Sequence, residues 1–165
     1  MNLKICRFGG YQAMEIGKEL AAPCGLYCGV CGIFIAHKNN DQKFKERLCT
    51  VYGLKWEDIH CEGCLAEDEE KVFFYCRICP IKSCNRERKY KGCYQCQDFP
   101  CEHIENFPMP VGKKVIMRTI PYWRQMGTEK WMQDEEARYV CPECDHKLFR
   151  GAKKCNNCKK EVQLD

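Results

Sequence analysis

From Leu20 onward the apolar positions come in short groups separated by cysteine, glycine and lysine, and only some of these groups keep a period. After Cys31 the run Gly32-Ile33-Phe34-Ile35-Ala36-His37 predicts a short buried helix leaving a cysteine turn. Over Asp41 to Tyr52, the residues Phe44, Leu48, Val51 and Tyr52 recur at the spacing of one helix face, with Lys43, Lys45, Glu46 and Arg47 outside. Asn40 or Asp41 can cap its start and Gly53 its end. Cys49 sits at the edge of that face and reads as a packed thiol. Trp56 and Ile59 then lead into a stretch, Cys61 to Cys101, with no sustained period, which predicts loops and short hairpins held by metal.

Phe107-Pro108-Met109-Pro110 breaks the chain into a linker. Lys113 to Met126 predicts a helix with a kink or restart at Pro121, since proline lacks the donor a continuous helix needs there. Gly127 stops it, and Thr128 is the expected cap of a second helix through about Arg138, with Glu129 in the dipole-favoured first turn. Ile116, Ile120, Trp123, Trp131 and Met132 are the apolar positions, and they predict packing between the two helices.

The expected fold is therefore a small metal-stabilised α+β protein: a loop-rich cysteine framework with short helices and hairpins, a helical linker and a C-terminal zinc ribbon. The boundaries read as an N-terminal extension over 1–19, a cysteine-rich metal-binding domain over 20–106, the helical linker over 107–138 and the ribbon over 139–165. Cys6 stands alone in the extension, and Met14 offers a second start, so residues 1–13 read as a gene-start artefact.

Composition changes this picture in one respect. Cysteine supplies 17 of 165 residues, too many for a packed core alone to explain. Arg7, Gln12, Glu15, Lys18 and Glu19 interrupt every apolar run before the first cluster, which argues against a secretory leader, and no span suits a membrane. The expected compartment is the cytoplasm, where C-x2-C pairs serve as metal knuckles or redox pairs rather than structural disulfides. An odd thiol count also suits ligands plus spare thiols.

The formal charge of +4 is that of the metal-free chain. Fifteen thiolates on four zinc ions set fifteen negative charges against eight positive, which takes the +4 to −3. Basic runs remain at Lys82, Arg86, Arg88, Lys89 and Lys91, and at Lys147, Arg150, Lys153, Lys154, Lys159 and Lys160. They read as surface residues that offset thiolate charge, in preference to a nucleic-acid site.

The candidate ligands follow from spacing. Cys141-x2-Cys144, ten residues, then Cys155-x2-Cys158 reads as a zinc ribbon or rubredoxin-like pair of knuckles completing a four-thiolate tetrahedron. The central framework holds Cys24-x3-Cys28-x2-Cys31, Cys61-x2-Cys64, Cys76-x2-Cys79-x4-Cys84 and Cys93-x2-Cys96-x4-Cys101. Three tetrahedral sites need one ligand beyond these eleven cysteines, and His103 is the best placed, ahead of His37 and His60. In chain order the sets are Cys24, Cys28, Cys31 with His103; Cys61, Cys64, Cys76, Cys79; and Cys84, Cys93, Cys96, Cys101. Interleaved pairings are equally buildable.

About four zinc ions are thus expected, with an iron-sulfur cluster within residues 24–101 as the alternative. The first triplet has the spacing of the cluster motif of radical S-adenosylmethionine enzymes, but the chain is too short for their barrel, and the bacterial ferredoxin spacing does not occur. His37, His60, His103 and His146 have no companions that force a triad, and neither a glycine-rich phosphate loop nor a thioredoxin-like context is visible. No catalytic residue is assigned, and a non-enzyme is favoured. The reading is a zinc-binding protein-interaction module with an unknown protein partner. An iron-sulfur redox or sensing protein, or nucleic-acid binding through the basic ribbon face, are the alternatives.

The stretches Ala22-Pro23-Cys24-Gly25-Leu26-Tyr27-Cys28-Gly29-Val30-Cys31, Cys61-Glu62-Gly63-Cys64, Cys76-Arg77-Ile78-Cys79-Pro80-Ile81-Lys82-Ser83-Cys84 and Lys91-Gly92-Cys93-Tyr94-Gln95-Cys96-Gln97-Asp98-Phe99-Pro100-Cys101 resemble the cysteine-rich bacterial and archaeal family filed as domain of unknown function 3795. The resemblance extends through Gly127-Thr128-Glu129-Lys130-Trp131 into the ribbon, which some members append. All eleven cysteines of the pattern are present, and Lys82 stands where many members have arginine. The resemblance implies a metal-binding, zinc-binding protein and carries no activity.

Overall fold

Cysteine turns start three of the helices in the computed structural model, which describes residues 17–165. Cys6 and the alternative start at Met14 lie outside the described residues. Helix α1 (Gly32–Lys38) is entered from Cys31, whose extended backbone is its N-cap. Helix α2 (Gln42–Tyr52) begins where the Asp41 carboxylate accepts the Phe44 N–H at 3.0 Å, and ends at Gly53 in the left-handed region, both as expected. Helices α3 (Phe74–Arg77), α4 (Pro80–Glu87) and α5 (Glu102–Glu105) follow, the last two again entered from a cysteine, Cys79 and Cys101. Helices α6 (Pro110–Met126) and α7 (Thr128–Arg138) form the long pair before the ribbon.

The fold is helix-rich, and the hairpins of the expected α+β class are nearly absent. Among the described residues strand pairing is confined to single bridges: Ala21 with Tyr27, Val140 with Lys147, and Lys154 with Glu161. Cysteines two to four residues apart leave room for a helical turn but not for the extended run a ladder needs. For the same reason the segment 61–101 holds α3 and α4 where loops and hairpins were expected. Pro80 fits the first helical position of α4, where no N–H is needed.

Helix α6 also departs from expectation, running unbroken through Pro121. A proline inside a helix costs about 3 kcal/mol. Val115, Ile116, Thr119, Ile120 and Trp123 are buried on one side of this helix, and burying each large apolar side chain contributes roughly 1.5–3 kcal/mol, so packing offsets the lost bond. Thr128 does not cap α7. Its hydroxyl accepts the Trp123 Nε1–H at 2.9 Å, and Gly127 is the residue that turns the chain.

Two cores result. In the larger, Trp123 and Trp131 stack with centroids 4.0 Å apart, Tyr27 meets Trp131 edge-on, and Val30, Ile81, Ile104, Ile116 and Ile120 surround them. The smaller joins Ile33 and Ala36 of α1 to Phe44 and Leu48 of α2, with Ile59, Cys61 and Phe73; Cys49 packs at its edge as expected. The predicted α2 face was too wide, because Val51 is 74 % exposed where α1 no longer covers the helix.

The ribbon is seated on the first cysteine turn. The Arg150 N–H donates to Val30 O at 2.8 Å, its Nη2 to Tyr27 O at 2.7 Å, and Phe149 lies 4.8 Å from the Phe44 ring. Tyr139, Cys141, Leu148 and Cys155 belong to the larger core, so ribbon and helices share one interior. Gly25 is required beside Cys24: its φ is +87°, and a Cβ there would lie 2.7 Å from Ile120 Cδ1. No described helix is long and apolar enough to cross a membrane.

Candidate metal centres

The two ribbon knuckles repeat one backbone design. The Cys141 N–H donates to His146 O and the Asp145 N–H to Cys141 O; the Cys155 N–H donates to Lys160 O and the Lys159 N–H to Cys155 O. Asp145 and Lys159, each following the second cysteine of its knuckle, both take positive φ, 56° and 65°. The result is convergence of Cys141, Cys144, Cys155 and Cys158, whose sulfurs all lie within 4.8 Å of one another. Cys141 and Cys158 sulfurs are 3.6 Å apart, and those of Cys144 and Cys155 3.7 Å. A zinc ion with bonds near 2.3 Å sets the tetrahedral edge at about 3.8 Å, so the donor set fits one ion. Cys144 is pulled down to about 6 by the Asn157 amide and the His146 N–H. Cys158 is pushed up to about 12, against the Lys160 N–H, by burial and the neighbouring thiols. Four thiols this close cannot all ionise without a cation among them.

In the central framework, Cys84, Cys93, Cys96 and Cys101 line one small cavity with Ile81, Asn85 and Arg88. These four cysteines are the third set of the chain-order partition. His103, paired in that partition with the first triplet, lines this cavity instead. Three further residues serve it: Arg88 belongs to the basic run expected to offset thiolate charge, and sequence reasoning missed Asn85 and Arg124. Buried Asn85 donates through Nδ2 to Cys93 Sγ at 3.3 Å and to Ile81 O at 2.8 Å. Arg88, ion-paired to Asp98 at 2.9 Å, points Nη1 at Cys96 Sγ from 3.9 Å. Arg124 of α6 clamps the knuckle, donating to Tyr94 O and Cys96 O, both at 2.8 Å. Burial pushes the Cys93 thiol up to about 11, with the Asn85 donor opposing it. The one available signal was that Asn85, one residue past Cys84, lies on a helix turn also holding Ile81.

The other seven, Cys24, Cys28, Cys31, Cys61, Cys64, Cys76 and Cys79, form one electrostatic neighbourhood. The Cys64 N–H donates to Cys28 Sγ at 3.4 Å across 36 residues of chain, and the Gly63 N–H to Cys61 Sγ at 3.4 Å. Burial pushes Cys24 up to about 12 and raises Cys28, Cys61, Cys64 and Cys76. Charge on Cys31, Cys28, Cys61 and Cys24 adds to the rise at Cys76, and Cys79 acts on Cys24. Lys82, only 2 % exposed and paired with Glu69 at 2.9 Å, partly opposes the rise at Cys61 and Cys64, which is the charge-offsetting role expected of the basic run. Among the described residues, no three of these central sulfurs come as close together as the ribbon's four do.

His37, His60 and Glu62 form a second set of donors within 4.8 Å, separate from the cysteines. Burial, then the His60 charge, lowers the His37 pKa. In the ribbon, the cations of its basic face are partly engaged at home: Lys147 with Glu136, Arg150 with Tyr27 O, and Lys154 with Glu161.

No curated protein and no solved structure matches the chain. The profile of one family, described as Protein of unknown function (DUF3795), matches residues 20–106, which takes in the eleven central cysteines and His103 and stops short of the ribbon. That match covers more than half of the sequence, and the chain therefore belongs to this family.

Proposed function

We propose that this is a zinc-binding protein of the cytoplasm whose ions are structural and whose folded surface engages a protein partner. The observation that carries the reading is the ribbon, where four sulfurs at a tetrahedral edge leave no position open for substrate. Closed four-thiolate sites act as staples, and their apparent binding energies of about 10–16 kcal/mol rival the stability of a whole domain. The partner surface is supported by Phe74, Tyr75 and Ile78, which are 48, 52 and 63 % exposed around α3. Cys144→Ser is expected to lose one metal ion per chain and open residues 139–165 to protease while the central framework stays loaded. Loss of every ion, or of none, overturns it.

A second reading, an iron-sulfur cluster within residues 24–101, is favoured by the wider spacing of the central sulfurs. The inorganic core of a cluster stands between its cysteines, whereas a single zinc draws them together. Metal analysis and a visible spectrum of protein purified without oxygen separate the two. Colourless protein with about four zinc supports the first reading, and brown protein with iron and sulfide supports the second.

A further inference from the structure

We propose that His37, His60 and Glu62 form a second kind of metal site, a mononuclear one that binds a divalent first-row transition ion without cysteine and keeps open positions toward a cleft. The donor atoms of all three lie within 4.8 Å of one another, and the two imidazoles face each other with centroids 4.1 Å apart at 59°, a tilted and unstacked arrangement. Zinc-nitrogen and zinc-oxygen bonds near 2.1 Å put neighbouring donors about 3.4 Å apart, so small side-chain rotations close the shell. Two imidazoles and one carboxylate are borderline donors, which suits zinc, cobalt or iron(II) better than magnesium or calcium.

The backbone that carries these donors is anchored by the cysteine framework. His37 lies in the last turn of α1, the helix entered from Cys31. His60 and Glu62 flank the buried Cys61 in a stretch without helix or strand, and their donor atoms converge on that of His37. The Glu62 N–H is held by Lys71 O at 2.8 Å. The histidines are half-buried and Glu62 is exposed, as a site with a buried floor and an open mouth requires.

The mouth is a cleft of about 590 Å³ that His37 and Glu62 line together with Glu19, Glu67, Asp68, Lys38 and Lys71. With Glu62, four carboxylates face two lysines there, a balance that favours a cation. Three protein ligands with an unfilled remainder is the arrangement of metal sites that bind a further ligand, in contrast to the closed ribbon. Water or a small oxyanion is the chemistry that completes the shell. Glu62 is held meanwhile by Lys71, whose Nζ is 3.5 Å from its Oε2. The incoming ion takes the place of that ammonium.

The test uses the full chain with its cysteine sites loaded as purified, and cobalt(II) as the probe. Equilibrium dialysis is expected to add one cobalt per chain, with the weak visible bands of nitrogen and oxygen ligation and no thiolate charge-transfer band. His37→Ala and His60→Ala are each expected to weaken this binding at least about tenfold while the metal already on the cysteines stays constant. Lys71→Met leaves all three donors in place and removes the competitor, so it is expected to bind cobalt at least as tightly as the native chain. Cobalt retained equally by both histidine variants, charge-transfer intensity from cysteine, no added cobalt, or a loss in Lys71→Met overturns the site. The count holds whichever metal fills the cysteines, so this inference and the zinc reading fail separately.

Discussion

The ribbon and the central framework are made of the same unit, a C-x2-C turn, and hold their sulfurs in opposite ways. In the ribbon two knuckles with matching backbone bonds bring four sulfurs together, with Cys144 drawn toward ionisation and Cys158 pushed away from it. In the centre eleven sulfurs are gathered more loosely and burial keeps thiols such as Cys24 and Cys93 protonated. The ribbon's knuckles are closed by bonds among its own residues, while its apolar side joins the larger core. The centre is assembled from four segments brought together over long stretches of chain, so its geometry depends on the cores beneath it.

The largest expected effect that separates the two regions is at Cys28, whose sulfur accepts the Cys64 N–H and lies in the field of Cys31, Cys61 and Cys24. Cys28→Ser is expected to lose more metal than Cys144→Ser and to reduce the helical signal of α1 and α4, read by metal analysis and circular dichroism. Equal losses in the two variants would mean that the centre is as locally built as the ribbon. Smaller is the effect of Asn85→Leu, which removes the donor to Cys93 with little change of volume. Its expected result is about a tenfold to hundredfold weaker central site with the ribbon untouched. Competition with a chelator measures this, and unchanged retention would show that the amide serves only the helix.

The third effect is one of order along the pH axis. A thiol raised from 9 to about 12, as at Cys24, keeps its proton in the metal-free fold; the stability from burying it neutral is complete below its ordinary pKa and is lost as pH rises through the raised one. Metal binding needs the thiolate, so protons compete with it at Cys24 and Cys93 and equally at Cys158 of the ribbon, and the ribbon's advantage is geometric: its four sulfurs already stand at the edge length of a zinc tetrahedron. On acidification the central ions are expected to leave before the ribbon ion, followed by a coloured zinc indicator and a protease cut in the ribbon. The reverse order would place the stronger proton competition in the ribbon.

Much of the chemistry was legible along the chain. The ribbon tetrahedron, the helix after Cys31, the Asp41 and Gly53 caps and the pairing of α6 with α7 all rest on spacings within a dozen or so residues, which chain geometry itself constrains. Cys84, Cys93, Cys96 and Cys101, which line one cavity, likewise fall within one short segment.

What the local pattern did not carry was anything set by burial from a distant element. Pro121 stays inside a helix because a core lies beneath it, Val51 is exposed because α1 is too short to cover it, and Thr128 turns its hydroxyl to Trp123 instead of capping. Asn85 and Lys82 look like surface polar residues until the fold buries them, Asn85 against Cys93 and Lys82 in its pair with Glu69. His37 and His60 were visible only as weaker fourth ligands for the cysteines; His37 lies 23 and 25 residues before His60 and Glu62, and the three become one donor set only when α1 and the Cys61 turn meet. Spacing along the chain therefore determined which cysteines could hold metal. Tertiary packing, by deciding which segments share an interior and what charge each thiol feels, determined how those residues are grouped.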